Sequence, residues 1–210
     1  MIGGRGINGT EEHARGSDRP PVTRDLLFRR ALQIIDTEGL AALTMRRLAA
    51  DLGVEAASLY HHVPNKQAVL DGAVSVMREA MVFDGPLPTD WRDIMEMVFL
   101  RYLDLLTAHP HMLPLATRRV ETDPVDGLGY LVALGMPPDE AVALWQSILA
   151  FVVGFATLAT DTIPGSVDQP PEGLGTKLTH WDRATARRGL RAILVNYEPA
   201  NPAPHSSGSS

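Results

Sequence analysis

The sequence predicts an all-α fold. Apolar residues recur at helical spacing through most of the chain, between recognisable start and stop signals. No pair of alternating apolar–polar runs joined by a hairpin turn interrupts them. A third observation narrows the class. The stretch Leu43–Lys66, LTMRRLAADLGVEAASLYHHVPNK, fits two short helices joined by a turn at Gly53. A short polar-tipped helix held in that way suits the DNA major groove.

The elements follow in order. Thr23 caps a first helix, Asp25 sits in its first turn where the macrodipole favours an acid, and Gly39 stops it. Leu27, Ala31, Ile34 and Ile35 form its apolar stripe. Thr44 caps the second helix, with Leu48, Ala49 and Leu52 inward and Gly53 at its end. Residues 55–62 make a third, short helix, and Pro64 breaks the chain. Asn65 caps a fourth helix to about Val82, with Val69, Ala73, Val76 and Met77 on one face. The break at Gly85-Pro86-Leu87-Pro88 divides two halves.

Beyond it, Asp90–Ala108 reads as a helix with Ile94, Val98, Tyr102 and Leu105 in register, ended by His109-Pro110. A helical turn near 112–117 and another at 123–134 follow. Pro137-Pro138 with Asp139-Glu140 opens a long helix to about Asp161. A Gly- and Pro-rich loop spans 163–176, and a last helix covers 182–197. The expected organisation is a flexible arm (1–22), a helix-turn-helix domain (23–66), a connecting helix (67–84), a helical regulatory and dimerisation domain (85–198) and a disordered tail (199–210). In the arm, Glu11, Glu12 and Asp18 offset Arg5, Arg15 and Arg19.

Charge separates the halves. Residues 1–80 carry 10 basic and 10 acidic side chains, and the rest carry 9 and 15, which accounts for the whole net charge of −6. That balance argues against non-specific coating of nucleic acid and leaves room for a few placed cations. With no cysteine, a disulfide framework and thiolate metal sites are excluded. Met1–Pro21 has no apolar run of the secretory kind, so a cytoplasmic protein is expected.

The pattern resembles the TetR family of transcriptional regulators, most densely over 24–82. The residues that carry it are Gly39, Leu43-Thr44, Arg46-Arg47-Leu48-Ala49, Gly53-Val54, Ser58-Leu59-Tyr60-His61-His62 and Asn65-Lys66. The runs His109–Leu115 and Leu149–Phe155 resemble the regulatory domain of the branch nearest the tetracycline repressor. The resemblance implies a homodimer, an N-terminal DNA-binding domain and a helical C-terminal domain. It also implies a small-molecule pocket whose occupation releases DNA.

Thr44, Arg46, Ala56, Ala57, Ser58, Tyr60, His61, His62 and Lys66 are the expected DNA contacts. Arg46, in the first turn of helix two, can reach a phosphate or fork onto guanine O6 and N7. Ala56 and Ala57 have nothing to donate, so they suit thymine methyls in an A·T-rich element. Sequence reading then falls to Arg46, Tyr60 and His61. Ser58, Tyr60, His62 and Lys66 serve as phosphate clamps that set register. Tyr60 has a second reading as a core aromatic. His61 and His62 point about 100° apart on a helix and lack an acidic or His partner at i+3 or i+4, so a metal there is rejected.

Residues 141–160 carry no charged side chain, which raises a membrane span. Gln146-Ser147 within it, diluting Ala, Thr and Gly, and acidic flanks at Asp139, Glu140 and Asp161 favour a buried helix instead. Ala143, Ser147, Ala150 and Gly154 recur about one turn apart and would let a partner helix approach in a dimeric four-helix bundle. Phe99, Tyr102, Leu103, His109, Met112, Trp145 and Phe151 are the candidate lining of a largely apolar effector pocket. Each also has a plain core-filling reading, and Pro110 leaves the geometry of His109 and His111 open.

Three functions compete. The first is a ligand-responsive regulator, most simply a repressor, that binds a palindromic operator as a homodimer. An activator on the same fold, or a protein-interaction module without DNA affinity, is the alternative. An enzyme is disfavoured, because no nucleophile elbow, phosphate loop or metal-spaced His/Glu motif is present, and no cofactor is expected.

Overall fold

A computed structural model describes residues 21–83, 85–118, 127–160 and 181–198. The expected loop at 163–176, the tail and the arm apart from 21–22 lie outside the described residues. Among the described residues all regular structure is helical. It comprises α1 (Arg24–Glu38), α2 (Met45–Leu52), α3 (Ala56–Leu59), α4 (Lys66–Arg78), α5 (Trp91–Ala108), α6 (Gly127–Ala133), α7 (Pro138–Ala159) and α8 (Arg183–Leu194). Short 3₁₀ turns follow α1, α4 and α5.

The starts of these helices obey local chemistry. Thr23 Oγ1 accepts from the Leu26 amide at 3.1 Å, Thr44 Oγ1 from Arg47 at 3.0 Å, and Asn65 Oδ1 from Ala68 at 2.9 Å. Asp90 and Asp182 cap α5 and α8 in the same way. Each bond satisfies an amide that the first helical turn leaves without a partner. Gly53 closes α2 in the left-handed region at φ 69°, where a side chain would be strained.

The third helix is shorter than the expected 55–62. Beyond Leu59 the chain makes i→i−3 bonds, Tyr60 to Ala57 at 3.2 Å and His62 to Leu59 at 2.9 Å, and so leaves the α-helix. Glu55 gives the element no side-chain cap, and Pro64 keeps Val63 out of the helical region. The fourth helix likewise tightens into a 3₁₀ turn at Glu79–Met81 before the expected Val82.

The head packs α1 against α4 and α2 against α3. Leu27, Ala31, Ile35, Leu48, Leu59, Val69 and Ala73 are buried at its centre. Gly72 lets α4 close onto α1: a Cβ there would stand 2.2 Å from the Phe28 ring. The core continues without a break into α5, the 3₁₀ turn at Pro110–Leu115, and α7. Two more close approaches occur there, Trp145 over Gly127 and Phe151 over Gly189.

Several polar ties join head to body. Arg78, 6% exposed at the end of α4, donates to the carbonyls of Ala116 and Arg118, both at 3.1 Å. His109 Nδ1 lies 2.9–3.0 Å from both carboxylate oxygens of Asp36 on α1. His111 Nδ1 donates to the carbonyls of Ile35 and Asp36 at the C-terminal end of α1, where positive charge is favoured. Arg118 adds a bond to Asp71 of α4 at 2.5 Å.

Candidate nucleic-acid interface

The exposed edge of the head is assembled from the start of α2, the whole of α3 and the first turn of α4. Thr44 is exposed, but its hydroxyl is committed to the cap of α2. Arg46 is exposed and, among the described residues, has no ion-pair partner. Its neighbour Arg47 is held by Glu38 at 2.5 Å. Adjacent residues on a helix diverge by about 100°, and that divergence sends the two guanidiniums to different fates.

Leu59 is fully buried and anchors α3. The other side chains of this element then turn outward. Ala57, Ser58 and His61 are exposed, His62 is half-buried, and Tyr60 is 53% exposed. The core-aromatic reading of Tyr60 therefore fails, because Leu59 occupies the inward position. Ala56 differs from Ala57: it is half-buried and packs on the core, so only Ala57 offers its methyl freely. Lys66 is exposed in the first turn of α4, with no ion-pair partner among the described residues. The cations Arg46 and Lys66 and the hydroxyls of Ser58 and Tyr60 are thus exposed, as contacts to a phosphate backbone and a groove require.

If Lys66 grips a phosphate, Lys66→Ala is expected to weaken binding similarly on all duplex sequences. The slope of log affinity against log salt should become shallower by about one unit for each phosphate released. Equal slopes in variant and parent would remove Lys66 from the interface.

Phe99, Tyr102, Leu103 and Met112 are buried in the continuous core. Phe99 meets the half-buried Trp145 edge-on, ring centres 4.9 Å apart. Tyr102 donates its hydroxyl to the Ala116 carbonyl, beside Arg78. Phe151 packs against the same core, over Gly189 of α8 and beside the Phe155 ring at 5.8 Å. His109 stands at the head–body junction with Asp36.

On α7, Ala141, Leu144, Ile148, Val152, Phe155 and Ala156 are buried, whereas Ala143, Ser147, Ala150 and Gly154 are all exposed. The helix is long and apolar enough to cross a membrane by length and composition, yet only 33% of its most apolar window is buried. Its inner face packs on α5, α6 and α8. The outer face presents small residues and the exposed Val142 and Leu158. A shallow cavity of about 290 Å³ lies between the N-terminal end of α5 and the C-terminal end of α8. It is bordered by charged groups such as Arg92, Glu96 and Arg191, and none of the aromatic candidates lines it.

Sequence reading missed Asp36, Asp51 and Arg78. Asp51 had a local signal, since it stands four residues after Arg47 on one helix face. Asp36 and Arg78 had none, because their partners lie far away in the chain.

Comparison with known proteins places this geometry. Residues 27–73 match the family model described as bacterial regulatory proteins, tetR family. The class E tetracycline repressor protein of Escherichia coli is 31% identical over 182 residues, which cover 80% of this chain and 86% of that protein. The HTH-type transcriptional repressor DrrR1 of Streptomyces coeruleorubidus is 34% identical over 149 residues. The match covers 66% of this chain but only about half (54%) of that repressor. Among solved structures, ActR of Streptomyces coelicolor in complex with actinorhodin superposes with a TM-score of 0.66 at 26% identity. It covers 84% of this chain and 97% of ActR.

Proposed function

The chain belongs to the TetR family of bacterial regulatory proteins, and on that premise we propose that it is a ligand-responsive transcriptional repressor acting as a homodimer on a palindromic operator. One observation carries the reading: Arg46, Ala57, Ser58, Tyr60, His61 and Lys66 are all exposed, on the start of α2, on and just after α3, and in the first turn of α4. Residues 23–66 form the head, 67–84 the lever and 85–198 the effector and dimer body. Its relatives are regulators rather than enzymes, and its place of action is the cytoplasm, where DNA is.

The exposed Ala143, Ser147, Ala150 and Gly154 give α7 a surface on which a second copy packs closely. Pairing there covers the apolar face that resembles a membrane span. It also sets two heads about 34–36 Å apart, one turn of DNA. The effector is a small, largely apolar molecule held in the body. Relatives named for tetracycline and a relative solved with actinorhodin support a small-molecule effector. An effector that binds better to splayed heads lowers DNA affinity by the same factor by which DNA lowers its own.

Selection of bound duplexes from a random pool tests the reading. An enriched inverted repeat is the expected result, with A·T pairs opposite Ala57. A pool that stays random refutes DNA-sequence recognition, and G·C pairs at that position refute the assignment of the alanines.

A further inference from the structure

Most arginines of the head already face a counter-charge. Arg29 donates to Asp25 at 2.9 Å and Glu79 at 2.6 Å, and these bonds, Asp25 first, raise its pKa above the ordinary value. Arg30 of α1 donates to Asp51 of α2 and, at 2.6 Å, to Gln33. Arg47 donates to Glu38 and lies 3.7 Å from Asp51. Asp51 is thus the hub, its side chain 18% exposed against 37% for Arg30 and 44% for Arg47. Among the described residues of the head, Arg24, Arg46 and Lys66 lack such partners.

Arg47 stands beside Arg46 in the first turn of α2, the helix of such a head that crosses the DNA backbone. A free guanidinium there gains affinity for any duplex, because phosphate contacts carry no sequence information. We propose that Asp51 and Glu38 are specificity-determining residues: they withhold Arg47 from phosphates. The DNA then meets Arg46 and Lys66 without a further unselective cation. This rests on the DNA-binding reading above.

Asp51→Asn keeps the shape of the side chain and an oxygen that still accepts from Arg30. Glu38→Gln does the same for Arg47 at an exposed position, and reports on its own should the first variant fold poorly. Full-length parent and variants are titrated by fluorescence anisotropy on the selected operator and on an unrelated duplex, across a salt series. Each variant is expected to bind the unrelated duplex about tenfold tighter for every phosphate newly engaged near 0.1 M salt. Its salt slope should steepen by about one unit for each of them, and operator preference should fall. Adding Arg47→Ala should return the slope to that of the parent. Unchanged non-specific affinity and slope overturn the proposal, as does a steeper slope that survives Arg47→Ala. A parent that prefers no sequence instead refutes the regulator reading itself.

Discussion

Replacing Arg46 with alanine is expected to weaken operator binding by about 2–6 kcal/mol per dimer, since one bidentate base contact contributes about 1–3 kcal/mol and the dimer carries two. At about 1.4 kcal/mol per decade that spans roughly 30-fold to twenty-thousand-fold. The structural reason is that Arg46 is exposed at the start of α2 with no acid among the described residues holding it, whereas Arg47 beside it is tied to Glu38. Affinity for unrelated DNA should fall much less, because only a charge is removed there. Arg46→Lys keeps that charge but not the fork, so it should recover non-specific binding and leave the operator defect largely in place. Anisotropy titrations on both duplexes measure this. Equal losses on the two would make Arg46 a phosphate contact rather than a reader.

The second large effect lies at the joint between head and body. Arg78→Ala is expected to lower unfolding stability by about 3–5 kcal/mol, read as a fall in the urea midpoint. Its guanidinium satisfies the buried carbonyl of Ala116 and the part-buried carbonyl of Arg118, and sits 5.6 Å from the centre of the Tyr102 ring. Alanine leaves those oxygens without their charged donor and also empties volume. Arg78→Met restores much of the volume but no donor, so it should recover only part of the loss. A change below about 1 kcal/mol in Arg78→Ala would mean that the joint is held by packing alone. The same substitution loosens α4 from the turn at Ala116, so heads and body should then respond to each other less.

These two residues also mark what could be read from the sequence. The caps Thr23, Thr44 and Asn65 were legible because a cap bonds an amide three residues on. The stripe Leu27, Ala31, Ile34 and Ile35 was legible because helical period alone puts those positions on one face. Arg46 was legible as a candidate contact, but not its freedom. That follows from Glu38 and Asp51 taking Arg47, and Glu38 belongs to another helix. Arg78 gave no sign of its role. Its partners are backbone carbonyls 38 and 40 residues away, and no residue type announces them. The pairing of His109 with Asp36, 73 residues apart, was hidden for the same reason. The close approach of Gly72 to Phe28 left one trace, a glycine inside a helix where alanine is favoured by about 1 kcal/mol. The early end of α3 was visible in Pro64, which limits Val63, and the longer helical pattern outweighed it.

Hydroxyl-radical footprinting of the selected operator tests the central claim most directly. Two heads with outward Arg46 and Lys66 predict two equivalent protected patches, centred about 10–10.5 base pairs apart or a multiple of that, and both absent in Arg46→Ala at the same protein concentration. A single protected patch, or uniform protection along the duplex, would contradict a dimer that reads successive major grooves.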